Sequence, residues 1–414
     1  MKLWRYPAPP AMKSPLSSLV ALSLLVGGSA PGDWLQFRGS EVSGVVAEGE
    51  LSPGGLGEAP TWVAPLPGRG LSSPIVVGGL VVVTCSSGAQ QERLHVIAFE
   101  ADSGERAWER QFWATGRSMT HGKTCVAAPT PCSDGERIYA LFSSNDLLCL
   151  DLEGNLKWLR GLTVDYPNAS NSLGLASSPV LAGGALVVQI ENDSDSFAEG
   201  VDLETGGKLW RLEREKKANW SSPVIYRGEE GRELVVLQGS AGLDAVDPRT
   251  GSVLWSYGGG AATIPSSAVG SGGVIYAPSH GLTALRPGGG EPESLWRDEQ
   301  QRPGTASPVV AGGRVYSINN AGVLTAAREE DGERLWRLRL EGPFSGSPVV
   351  AGDHLYVLSE RGVLQVVDLR APEGEVVSAL GVFDEEQVQS SPAIAGGAVY
   401  VRGDGQLVRL DGAR

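Results

Sequence analysis

The chain repeats one phrase: a small residue and proline, an apolar run broken by a glycine turn, then an aspartate and glycine turn leading to tryptophan. Complete copies read SSPVLAGGALVVQ to DLETGGKLW (Ser177 to Trp210) and ASPVVAGGRVYSI to DGERLW (Ala306 to Trp336). Each copy predicts a four-stranded antiparallel sheet. Proline cannot donate to a strand ladder, so it belongs at the start of an edge strand. VAGGR, VAGDH and IAGGA set Gly-Gly or Gly-Asp between two β-branched or apolar runs, a two-residue hairpin signal. A second hairpin turns on aspartate and glycine, as in DPRTGSVLW from Asp247 to Trp255. Small serine and alanine beside the proline suit a crowded axis. The large aromatic on each outer strand fills the wedge between neighbouring sheets, and its indole N–H needs an acceptor.

Starts are read at Pro74, Pro129, Pro179, Pro223, Pro265, Pro308, Pro348 and Pro392, eight units at a period in the propeller-blade range. Tryptophans end the units at Trp108, Trp158, Trp210, Trp255, Trp296 and Trp336, with Leu380 in the equivalent place of the seventh. The eighth stops at Arg414 after a third strand, GQLVRLDG, while an orphan ending, PTWVAPL around Trp62, precedes the first proline. The strand at Trp62 therefore completes the last blade and closes the ring, removing the edges that an open array exposes. The expected fold class is all-β: an eight-bladed β-propeller of four-stranded antiparallel blades.

AVDPRTGSVLW, residues 245–255, approximates the pattern AxDxxTGxxxW. With the other units it resembles the repeats of the pyrroloquinoline quinone (PQQ) propeller superfamily, over roughly residues 60–414. That superfamily holds quinone-dependent dehydrogenases and also the non-enzymatic propeller of the outer-membrane barrel-assembly machinery. In its alcohol dehydrogenases a disulfide between adjacent cysteines packs on the cofactor. Here no two cysteines are adjacent, and the family's calcium ligands find no matching motif. The resemblance therefore implies a binding propeller rather than an enzyme, with no cofactor. The alternative it leaves open is a PQQ- and calcium-dependent oxidoreductase.

Lys2, Arg5 and Lys13 precede the apolar stretch from Leu16 to Ala30, which is short for a membrane span and predicts a signal peptide over 1–30. A lead-in segment over 31–60 and the propeller over 61–414 follow. Met12 offers a second start beside Met1, and the sequence does not choose between them. Export to the periplasm or beyond is expected, as a monomeric ring. No cysteine follows the apolar run, so a lipid anchor and direct membrane insertion are not expected. Removing the signal takes three positive charges away and moves the net charge from -14 to -17. So acidic a body disfavours nucleic acid as a partner. Cys85, Cys125, Cys132 and Cys149 leave room for one or two disulfides of undetermined pairing.

Strand alternation puts the second turn of every blade and the links between blades on one face. From tryptophan to the next proline the chain runs 21 positions at Trp108 to Pro129 and again at Trp158 to Pro179, against 10 to 13 elsewhere. The second turn is also enlarged in the first blade (Thr84 to Arg93) and the third (Glu191 to Glu199). Long loops on a rigid scaffold are where binding concentrates. The candidate binding residues of this loop-rich face are His121, Lys123, Asn145, Asp146, Asp165, Tyr166, Asn168, Asn171, Asn192, Asp193 and Trp220. They read as a polar patch with aromatic anchors for a protein or other envelope ligand.

Catalytic and metal signatures fit poorly. GRSMTHGKT has five residues between its glycines where a phosphate loop needs four, and a strand rather than a helix follows. NDSDS around Asp193 lacks the glycine and distal glutamate of a calcium loop. His121 is the attractive base for any nucleophile triad, since it lies in the expanded sector. DWLQFRG, Asp33 to Gly39, has no place in the repeat; Trp34 and Phe37 are expected to pack on the ring.

Overall fold

The structure, a computed structural model, describes residues 32–46, 51, 56–228, 231–384 and 386–412. The expected signal peptide, and with it the choice between Met1 and Met12, lies outside them. Among the described residues no helix is long and apolar enough to cross a membrane.

Eight four-stranded antiparallel blades follow one another around an axis. The first is Ile75–Val77, Leu80–Ser87, Arg93–Glu100 and Arg106–Trp113, running from a fully buried inner strand to an outer strand with no buried residue. The eighth combines both ends of the chain: Trp62–Pro65 pairs antiparallel with Gln406–Asp411, outside Ala398–Arg402 and Ala393–Ala395. The closing strand is therefore where the orphan tryptophan placed it.

The docking of tryptophan on the next blade accounts for the repeat's glycine. The indole N–H groups of Trp62, Trp108, Trp158, Trp210 and Trp296 donate to carbonyls of the following blade at 2.7–3.0 Å. Each ring lies against the glycine of that blade's third turn. At Gly104, Gly154, Gly206, Gly251 and Gly332 φ is +69 to +80°, and a Cβ would fall 2.5–2.7 Å from the ring. Only glycine satisfies both conditions.

Three repeat positions differ from the sequence reading. The inner strands of blades two and five follow Thr130-Pro131 and Ser266-Ser267, so Pro129 and Pro265 precede the true starts by two residues. In blade seven the register puts Ser378 opposite Val366, as Trp336 stands opposite Ala326; Leu380 is two residues further on. The four cysteines are free and buried. Burial pushes the Cys125 and Cys149 thiols up to about 12, and thiols held protonated are inert.

The segment at 33–46 is a plug. Trp34 exchanges two backbone bonds of 2.9 Å with Val76 of blade one, and Ser133 of blade two donates to the Leu35 carbonyl at 2.8 Å. Leu181 of blade three donates to Gln36 Oε1 at 3.0 Å. Arg38 donates to the carbonyls of Ser267 and Pro308, in blades five and six, at 2.9 and 2.6 Å. Val45–Val46 then adds a parallel strand inside Val349–Ala351 of blade seven. Contacts with Gly78 and Gly396, first-turn residues, place the plug on the face opposite the long links. Trp34 is buried as expected, whereas Phe37 faces the axial space.

The third turns also carry a pH signature. The Arg370 side chain and backbone N–H hold the Asp368 carboxyl down at about 2; burial opposes the same shift at Asp151, but Lys157 and Asn155 still bring it to about 2. A carboxylate whose pKa is lower folded than unfolded stabilises the fold above the unfolded value, about 4, and loses that contribution as pH falls through the folded value. Thermal unfolding midpoints should decline from about pH 4 towards pH 2. The Asp151→Asn, Asp368→Asn variant should show a shallower decline than the parent. Parallel curves would contradict this origin.

Candidate functional site

The long links are held down by buried polar side chains. In the link after blade one, Thr115 donates to Asp146 from its backbone N–H and its hydroxyl, the latter at 2.6 Å, and Ser144 adds a third bond at 2.6 Å. Burial raises the Asp146 carboxyl while these donors oppose the shift. At Gly116 a Cβ would lie 2.1 Å from the Ser144 carbonyl, so glycine is required for this close approach.

After blade two, a single helical turn, Leu162–Asp165, leads into a loop fastened from within. Asn145, at φ +64°, donates to the Ala169 carbonyl at 3.0 Å and accepts from Asn171 at 2.6 Å. Asn171 also reaches the Ser143 carbonyl at 2.9 Å. In the enlarged turn of blade three, Asn192 Oδ1 accepts the N–H groups of Ser194 and Asp195, and the Ser194 hydroxyl bonds the Asn168 carbonyl at 2.6 Å. Asp193 accepts from the Ala218 N–H at 3.2 Å, tying this turn to the next link.

The eleven sequence candidates thus occupy one continuous group of loops and divide by exposure. Asn145, Asp146, Asn171 and Asn192 are buried and used in holding the backbone. His121, Lys123, Asp165, Asn168 and Asp193 are exposed, and Tyr166 and Trp220 are half-buried. Tyr166 packs at a tilt on Phe197 with centroids 4.5 Å apart, donates a hydrogen bond from its hydroxyl to Glu199, and lies under the Arg211 guanidinium. Trp220 donates its indole N–H to Gly174 at 2.8 Å.

Apolar residues absent from the sequence reading lie on or beside these loops, Trp113 as the last residue of the outer strand of blade one. Trp113 is 64%, Met119 62% and Val164 76% exposed. Gly116 packs against Thr163, which brings the link that follows Trp113 and carries Met119 beside the turn carrying Val164. Most other exposed large aliphatics, among them Leu209, Leu254 and Leu335, stand on outer strands at the rim.

The same face opens into an axial cavity of about 480 Å³, lined by Leu71, Leu173, Trp220 and Ile264, with Phe37 of the plug among its walls. Lys123 and His121 line it on one side, Glu360 on another. Its wall includes a closed ring of hydroxyls, one per blade. The backbone N–H of Ser73 donates to Thr130 Oγ1, that of Thr130 to Ser178 Oγ, and the sequence continues through Ser222, Ser266, Ser307, Ser347 and Ser391 back to Ser73, at 2.8–3.0 Å throughout. The signal was visible as a serine or threonine at every repeat start, read only as a small residue.

A quinone with calcium is not matched by these residues. Glu360 is the carboxylate lining the cavity, and it accepts the Ser345 hydroxyl at 2.6 Å. Among the described residues no three His, Cys, Asp or Glu side chains group to hold a metal ion. The histidine in a triad-like arrangement is His95, not His121: Ser87 Oγ and Glu109 Oε1 each lie 2.7 Å from its ring nitrogens. Catalysis there would need an oxyanion donor beside Ser87. The Glu92 carboxylate lies beside Gly88, the next residue, where an added Cβ would meet it at 2.6 Å.

A family model described as outer membrane protein assembly factor BamB matches residues 57–187, 168–280 and 278–411. Comparison with curated proteins returns no match. Among solved structures, BamB from Moraxella catarrhalis is 16% identical, with 85% of this chain and 97% of that one covered at a TM-score of 0.62. Quinohemoprotein alcohol dehydrogenase from Comamonas testosteroni is 14% identical, covering 92% and 81% at 0.67. The computationally designed Ika8 protein is 12% identical, covering 84% and 98% at 0.58. At these identities the likenesses show the fold.

Proposed function

The chain belongs to the family of the outer membrane protein assembly factor BamB, and we propose that it is an exported, non-enzymatic binding propeller of the cell envelope. It docks a protein partner on the loop-rich face of blades one to three. The observation that carries this reading is the exposure of Trp113, at the end of the outer strand of blade one, and of Met119 and Val164 on links held by the buried, hydrogen-bonded side chains of Asn145, Asp146 and Asn171. Exposed apolar anchors on a preorganised frame lose little conformational freedom on binding. His121, Lys123, Asp165, Asn168 and Asp193 form the polar rim, with Tyr166 and Trp220 as half-buried aromatics. Asn145, Asp146, Asn171 and Asn192 serve by shaping the loops. The family description, an outer membrane assembly factor, agrees with an envelope location and a protein partner.

The test is affinity capture from the envelope fraction with the parent and with a Trp113→Asp, Met119→Glu, Val164→Glu variant. All three side chains are exposed, so the variant should keep the parent's unfolding midpoint. Interface anchors contribute about 2 kcal/mol or more each, so specific recovery should be lost. Recovery of the same partners by a folded variant would contradict the assignment of this face.

A further inference from the structure

We propose that the axial cavity is a binding site for a small organic acid, its carboxylate directed to the hydroxyl ring and its apolar body held between Trp220, Leu71, Leu173 and Ile264. This goes beyond the protein-docking face and stands or falls independently of it. Three observations converge on it.

The ring supplies donors. All eight hydroxyls line the cavity, and each oxygen accepts a backbone N–H from the preceding blade. The hydroxyl protons have no acceptor among the described residues. A hydroxyl that accepts one hydrogen bond is polarised towards donating another. The ligand group that satisfies such a ring is therefore rich in acceptors, and ionised acceptors form the stronger bonds.

The charge beneath the ring is positive. Arg38 is 1% exposed and bonds the carbonyls of Ser267 and Pro308, each immediately following a ring residue. It makes no ion pair with a carboxylate among the described residues, and its Nε has no partner. A buried guanidinium without a counter-ion favours an anion nearby, because the interior screens charge poorly. Arg402, also 1% exposed, donates to the hydroxyl of Ser72 beside the ring, at 3.1 Å. Arg38 and Arg402 act through the field and through the groups they bond, as positioning residues. Lys123 adds a cation at the lining and Glu360 a carboxylate on another side of it, so the acid's carboxylate is directed to the ring and away from Glu360.

The wall above the ring is apolar over one sector. Leu173 and Ile264 are 42% and 46% exposed, and with Leu71, Ala128, Ala176 and Trp220 they line that sector, whereas Thr305, Ser345, Glu360 and Gln389 make another part of the wall polar. An inorganic anion would leave that surface uncovered. An acid with an aromatic or aliphatic body would cover it.

Isothermal titration at pH 7 with 3-phenylpropionate, 3-phenyl-1-propanol and acetate separates the terms. The acid should bind saturably at one per chain. The alcohol, lacking the charge, and acetate, lacking the body, should each bind at least about tenfold more weakly. Ala176→Trp, which fills the cavity, should abolish binding while leaving the Val164 face untouched. Lys123→Glu should weaken the acid about fivefold or more, with little change for the alcohol. Arg38→Met should narrow the preference for acid over alcohol; if that variant fails to fold, the ligand series and Ala176→Trp decide alone. Equal affinity for acid and alcohol, or binding of the acid undiminished in folded Ala176→Trp, would overturn the proposal, as would absence of saturable binding.

Discussion

Gly206→Ala should lower the unfolding free energy by about 2–5 kcal/mol, with the denaturant slope unchanged. At φ +69° alanine adopts a left-handed conformation that costs about 1–2 kcal/mol. Its Cβ would also lie 2.7 Å from the Trp158 ring. The indole must then move from its slot, straining the 3.0 Å bond to the Leu203 carbonyl, and overpacking of this kind costs about 1–3 kcal/mol. Gly312→Ala is the internal control. There φ is +57°, but nothing lies within 4 Å of the added Cβ, so only the backbone cost applies. Urea unfolding of both variants should separate them by about 1–3 kcal/mol, and equal losses would contradict the docking account of the repeat.

Removing residues through Pro65 should open the ring, whereas removing only those through 55 should not. The longer deletion strips Trp62–Pro65 from the Gln406–Asp411 edge and takes away the indole bonded to Ala101 at 2.9 Å. A long unpaired strand is a template for association. Size-exclusion chromatography should find that chain in soluble oligomers or aggregate. The shorter deletion keeps the closing strand and loses the plug, so it should elute as a monomer with a lower unfolding midpoint. A monomeric, cooperatively unfolding product of the longer deletion would contradict closure by the N-terminal strand.

The fold was legible because its signals are local and repeated. Gly-Gly turns, Asp-Gly turns and ring tryptophans each report a nearest-neighbour contact, and the orphan at Trp62 had one place to go. The misplaced starts at Pro129 and Pro265 arose because a second proline or a serine stands at the true position, and proline itself was the marker. Ser378 was missed because a small polar residue stands where the other blades carry tryptophan, and the apolar Leu380 lies two positions on.

The candidate site was legible in outline only. Loop lengths identified the face, but they do not say which side chains turn inward. Asn145 and Asn192 carry the residue types of a recognition patch and the geometry of turn holders, and a single sequence does not separate these roles. Met119 and Val164 were overlooked because apolar residues in a long link read as ordinary packing, and Trp113 because it ends an outer strand, where the repeat already places a tryptophan. The plug's extent escaped because its contacts cross all eight blades, from Val76 to Gly396, with no repeat to betray them.

The claim that the loop-rich face of blades one to three is the docking surface is tested most directly by site-specific photo-crosslinking in the intact envelope. A benzophenone side chain at Val164, 76% exposed on that face, is compared with one at Leu335, 39% exposed on the outer strand of blade six. The account predicts a discrete protein adduct from Val164 and none from Leu335. An adduct from Leu335 alone, or equal adducts from both, would contradict it.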